Sequence, residues 1–365
     1  MAPLRLAALF LPLATAAALG PGPTRTGPWP VGFHLLPISD SAHPRPFTAA
    51  VWYPARGGTR GRLTYRKYLG VGGGDEEISG LAGLLASRGA PEEEIAAWLD
   101  RPMLAASDAP PLGGRHPLVL IAQGNGQTIQ DQAPLAEFLA SHGYVVGTAP
   151  SPMRLTGPLT DEREVGARAA EQARDLALLA GEMARRPDVD ASRIGLVGHS
   201  FGARAALLLA MRDTRVAALV SLDGGIGTAA GRGSLEAAPG FAPERLETPV
   251  LHLYETADSV MAPDFGLLRS LDRADRWIGR VPGMRHHLFT SLGAAAGEQP
   301  GLRRALGASA EVGAGYAAIA AATADFLDAF VAGDERARER IRKGADWAGV
   351  DSVTVLPRRR PAAGR

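Results

Sequence analysis

From residue 116 onward, short apolar runs alternate with amphipathic stretches. PLVLIA (117–122), YVVGTA (144–149), RIGLVG (193–198), VAALVSLD (216–223) and TPVLHLYE (248–255) have strand length, and RWIGRVP (276–282) is a sixth such run. Between them lie QAPLAEFLASHG, which stops at Gly143, a long helical period over 162–185, and FGARAALLLAMR. AAIAAATADFLDAFVAG closes the series as a last amphipathic helix. Strands alternating with helices predict an α/β fold: a mostly parallel central sheet with helices on both faces. Upstream, VGFHLLPI and PFTAAVWYP read as two strands joined by the turn-like SDSAHPR.

The stretch 56–112 breaks this rhythm. ARGGTRGRL and LGVGGGDEE are loop-like. One helical pattern would bury Ile78, Leu81, Leu84 and Leu85. A second starts at Pro91, with three glutamates in its first turn, and would bury Ile95, Trp98 and Leu99. The segment is too small to bury a core of its own, so it reads as an inserted, helical, lid-like region.

The ends differ in composition. MAPLRLAALFLPLATAAALG (1–20) has one basic residue, an apolar run and small residues at its end, the pattern of a cleaved signal peptide. The mature domain is then 21–350, secreted or periplasmic, and 351–365 reads as a solvated basic tail. No later stretch reads as long and apolar enough to cross a bilayer, so no stable membrane insertion is expected. The 39 Lys+Arg against 38 Asp+Glu leave a net charge of +1, without the basic excess of a nucleic-acid binder. The absence of cysteine excludes disulfides, thiolate catalysis and cysteine metal sites.

Gly198-His199-Ser200-Phe201-Gly202 fits G-x-S-x-G and lies between an apolar run and an alanine-rich helix. That context turns a short motif into a candidate nucleophile elbow, with Ser200 on a tight strand-to-helix turn beside a helix N-terminus. A serine needs a base, and the base an orienting carboxylate. In the α/β-hydrolase fold these follow in the order serine, acid, histidine. His34, His43, His116, His142 and His199 all precede the serine, and His252 sits inside an apolar run. His286 and His287 remain. Adjacent histidines rarely chelate one ion and no other ligand stands at metal spacing, so neither a metal nor a cofactor is expected. Two carboxylates compete for the acid: Asp223 in VSLDGG and Asp258 in YETADSVMAP. For the oxyanion hole, the N–H groups of Phe201 and of Asn125, in the AQGNGQT loop after PLVLIA, are the candidates.

In these residues the chain resembles the α/β-hydrolases related to plasma-type platelet-activating-factor acetylhydrolase and their secreted bacterial relatives. The matching stretches are GPWPVGFHLL, AVWYPA, HPLVLIAQGNG with LAEFLASHGYVV, GHSFG, SLDGG and RHHLF. It departs at GNG, where the family's glycine pair is more apolar, and at Ala203, where a further glycine is common. The resemblance implies that Asp223, 23 residues beyond Ser200, is the acid and His286 the base. It also implies a carboxylic-ester hydrolase acting on a small-molecule or lipid ester. An amidase or peptidase using the same residues, or a non-catalytic binding protein on this fold, are the alternatives.

Overall fold

The computed structural model describes residues 26–40, 43–57, 61–153 and 160–359. The expected signal peptide (1–20) and the last six residues of the tail lie outside them. The strands are β1 (Val31–Asp40), β2 (His43–Pro54), β3 (Arg62–Thr64), β4 (Pro102–Ser107), β5 (His116–Ala122), β6 (Val145–Ala149), β7 (Val189–His199), β8 (Val216–Leu222), β9 (Val250–Tyr254), β10 (Arg276–Arg280) and β11 (Asp351–Leu356). They form one sheet in the order β11-β10-β9-β8-β7-β5-β6-β2-β1-β4-β3. The stretch from β6 to β10 is parallel throughout, whereas β2 joins β6, and β11 joins β10, in antiparallel fashion.

Alternation along β5 shows how the sheet serves two cores. Val119 and Ile121 face a cluster that includes helix α3 (Ala133–Ser141) and the Val312–Leu327 helix. Leu118 and Leu120 face another, with α4 (Glu162–Ala184) and α5 (Gly202–Ala210). All four are fully buried, each side chain contributing roughly 1.5–3 kcal/mol of transfer free energy. This two-sided burial is why the strands read as continuous apolar runs.

Three expectations need correction. First, the 56–112 segment is part of the body and not a lid. β4 runs parallel to β1 and β3 antiparallel to β4, extending the sheet. Helix α1 (Tyr65–Ser87) starts well before Ile78, breaks at Gly74 (φ 68°), and buries Tyr65, Tyr68, Leu69 and Leu85 while Leu84 stays exposed. In α2 (Glu92–Asp100) Ile95, Trp98 and Leu99 are buried, and Trp98 stacks on Tyr65 with ring centroids 4.4 Å apart. A buried polar chain fixes the segment: Trp52 Nε1 donates to Tyr68 Oη (2.8 Å), which donates to Glu137 Oε1 on α3 (2.7 Å). The same carboxylate accepts the Leu104 and Ala105 N–H groups of β4 at 2.9 Å. Burial raises the Glu137 pKa, and these donors oppose the rise.

Second, the tail does not begin at 351. DSVTVL is β11, paired with β10 through Trp277↔Val355 and Ile278↔Thr354, with Arg280 forking onto Asp351 at 2.8 and 2.6 Å. Third, Val312–Ala332 is a helix of 21 residues that is long and apolar enough to cross a membrane. Here it packs into the core through Ile319, Ala322, Phe326 and Leu327.

His252, the strand histidine of β9, is buried, with Nδ1 2.9 Å from Ser221 Oγ and the ring stacked beside Tyr254. Burial holds its pKa down to about 3, against 6.5 when exposed. Below pH 6.5 the unfolded chain takes up a proton here that the folded chain refuses, so stability is lost as pH falls from 6.5 towards 3. The loss is roughly 2 kcal/mol by pH 5. Thermal melts at pH 7 and pH 5 should therefore show a smaller acid loss in H252F/S221A than in the native chain. An equal loss in both would remove His252 as a cause.

Candidate active site

The strand order reverses between β5 and β7: after β5 the chain adds β6 on one side and β7 on the other. In open α/β sheets the crevice at such a switch point, at the carboxyl ends of the strands, is where ligands bind. The G-x-S-x-G turn follows β7 directly, and the AQGNGQT loop follows β5.

Ser200 takes a left-handed backbone (φ 54°) between β7 and α5. Its N–H donates to Leu222 O at 3.1 Å and its carbonyl accepts from Gly225 N–H at 2.9 Å, tying the elbow to the end of β8. The glycines allow close approach: a Cβ on Gly202 would overlap the Ala122 carbonyl of β5, and one on Gly198 the Ala203 backbone. Asp223, just past β8, is also left-handed (φ 42°), and its N–H donates to Leu253 O of β9 at 2.7 Å.

Three of the expected site residues come together. His286, in a short 3₁₀ turn after β10, has Nε2 2.9 Å from Ser200 Oγ and Nδ1 2.6 Å from Asp223 Oδ2. Asp223 is 1 % exposed and Ser200 8 %, so both are buried. Burial pushes the Asp223 pKa up, and the hydrogen bond and charge of His286 work against that rise. His287 points elsewhere, with Nε2 3.1 Å from Leu306 O.

Asp258 is present at the site in a different relation. Its Oδ2 accepts the main-chain N–H of His286 at 3.2 Å, and Oδ1 accepts from Val260 N–H at 3.0 Å. Buried Glu255 lies between the two aspartates. Its N–H donates to Asp223 Oδ1 (3.3 Å), and its carboxylate accepts from the N–H groups of Ala257 and Asp258. Burial, opposed by the Ala257 hydrogen bond and reinforced by Asp258 and Asp223, lifts the Glu255 pKa to about 7.

Of the two amides expected to face an oxyanion, Phe201 N–H is at the head of α5, where a helix leaves its first amides without intrahelical acceptors. Asn125 sits half-buried in the β5 loop. The loop's shape is held by its other amides: Gly124 N–H to Gln127 Oε1 (2.6 Å), Gly126 N–H to Met153 O (2.8 Å) and Gln127 N–H to Gly124 O (3.2 Å). Through Arg101–Leu104 the 56–112 segment lines a cavity of about 800 Å³ beside Glu137 and Tyr316, which none of Ser200, Asp223 and His286 borders. Nearer the β5 loop, its Glu77 carboxylate accepts from Gln130 Nε2 at 2.9 Å.

Sequence reasoning missed His199, Gln127 and Glu255. His199 precedes the serine, so chain order excludes it as the base, although its place inside the elbow puts it next to the chemistry. Gln127, three residues after Gly124 in a glycine loop, carried the signal of a loop-closing side chain.

Comparisons with known proteins agree with this architecture. A family model described as Chlorophyllase matches residues 93–249, a span that includes Asn125, Ser200, Phe201 and Asp223 but covers less than half of the chain. No curated protein matches. Among solved structures, a ferulic acid esterase from Streptomyces cinnamoneus superposes with a TM-score of 0.60 at 23% identity, over 83% of this chain and 91% of that one. With its switch-point crevice, its elbow after β7 and its mostly parallel sheet, the chain has the α/β-hydrolase fold.

Proposed function

We propose that the protein is a serine-dependent carboxylic-ester hydrolase. The observation that carries this reading is the continuous path from Ser200 Oγ through the His286 ring to Asp223, with links of 2.9 and 2.6 Å. Ser200 attacks the ester carbonyl while His286 Nε2 accepts its proton. Asp223 holds the ring by Nδ1–H and stabilises the imidazolium that forms. The amides of Phe201 and Asn125 bind the developing oxyanion, each donor worth roughly 3–4 kcal/mol in measured cases. His286 then protonates the leaving alcohol, and a water activated by the same ring releases the acid from Ser200. Every step uses groups of this chain and water.

The names of the family model and of the solved match support an ester as the substrate class. A lipid-like or short acyl group is the acyl part that the resemblance of GHSFG, SLDGG and RHHLF implies. Purified protein should cleave nitrophenyl esters, with a preference by acyl length, and should be labelled by a fluorophosphonate. Matching anilides test the amide alternative. Folded protein that neither turns over any ester nor takes the label would overturn the proposal.

A further inference from the structure

His199 touches all three parts of the site. As the last residue of β7 it adjoins Ser200. Its ring lies against that of His286, with centroids 5.0 Å apart and planes 24° from parallel, within the range of favourable offset stacking. Nε2 is 3.2 Å from the main-chain carbonyl of His286, and Nδ1 is 3.0 Å from Gln127 Oε1. That Gln127 oxygen also accepts the Gly124 N–H of the β5 loop. The ring is 2 % exposed. We infer that His199 is a positioning residue that sets the His286 ring against Ser200 and couples the base turn to the β5 loop.

His286 stands on a four-residue 3₁₀ turn, not on a strand. Its ring nitrogens are committed to Ser200 and Asp223, and its main-chain N–H to Asp258. His199 meets the ring face and the main-chain carbonyl. Burial, with the neighbouring His286 acting in the same direction, keeps the His199 ring neutral, so it does not compete for the proton that His286 carries. A neutral imidazole has one N–H, which donates to one of its two oxygen neighbours while the ring lies in contact with the other. The rate consequence is geometric: misplacing a reacting group by about 1 Å costs on the order of a hundred-fold.

This inference depends on the ester-hydrolase reading, and the experiment separates the two. Ester turnover is measured for the native chain, H199F, H199Q and Q127A, with thermal melts beside it. H199F keeps a ring face and loses the one hydrogen bond that the neutral imidazole makes, together with the contact at its other nitrogen. Its kcat should fall about a hundred-fold, with KM within about three-fold and the melt close to native. H199Q places an amide N–H where Nε2 was and should recover at least ten-fold of that loss. Q127A, which cuts the link to the β5 loop, should lose about ten-fold in kcat, and it decides the matter if H199F does not fold. Native kcat in H199F, no recovery in H199Q, or native kcat in Q127A would each overturn the positioning role. A native chain without turnover would instead overturn the hydrolase reading and this one with it.

Discussion

Replacing Ser200 with alanine should lower kcat for a nitrophenyl ester by on the order of 10⁶ and abolish fluorophosphonate labelling, while leaving the melt close to native. The residual rate should still exceed the uncatalysed one, because the amides of Phe201 and of the β5 loop remain in place. The side chain lost is one hydroxymethyl oxygen whose partner is His286 Nε2. The tethers of the elbow to β8 run through the Ser200 backbone and persist. A drop of less than ten-fold would mean that the serine is not the nucleophile.

The second large effect separates two aspartates that both touch His286. D223N should cost about 10⁴ in kcat. An amide at Asp223 can donate to Nδ1, which puts the ring proton on Nε2, where it faces Ser200 as a donor instead of an acceptor. The negative charge that stabilises the imidazolium is lost as well. D258N should cost less than ten-fold, since Asp258 meets His286 through its main-chain N–H, which an amide oxygen can also accept. The reverse ranking would move the acid to Asp258. Kinetics on the two variants and on native protein, at one pH, are sufficient.

The parallel core was legible because each strand from β5 to β10 is apolar on both faces and each connecting helix carries its own period. The edge was not. PMLAAS has small residues and no β-branched run, and it is a strand because β1 and the Glu137 carboxylate take its amides. DSVTVL alternates in strand fashion, but the arginines after it drew the reading towards a tail. Within the site, chain order narrowed the base to two adjacent histidines, and their rings diverge to different partners. Order alone left Asp223 and Asp258 open because both follow strands beside the crevice. What distinguishes them is whether a carboxylate meets the ring or the main chain, a matter of side-chain direction that spacing does not encode. His199 escaped because its links to His286 and Gln127 span 87 and 72 residues.

Ser200 and Asp223 are both in the left-handed region at the ends of adjacent strands. Such a conformation costs a side-chain-bearing residue of order 1–3 kcal/mol and glycine almost nothing. Folding alone would favour glycine at both places. Under mutational drift without use, these are therefore positions where the ancestral residues would erode early, since their replacement improves the fold. A lineage that had kept only the scaffold, as a binder of some other ligand, would have little to hold a serine and an aspartate there. A serine and an aspartate in that backbone geometry fit the proposed chemistry, which needs a hydroxyl and a carboxylate at these two strand ends.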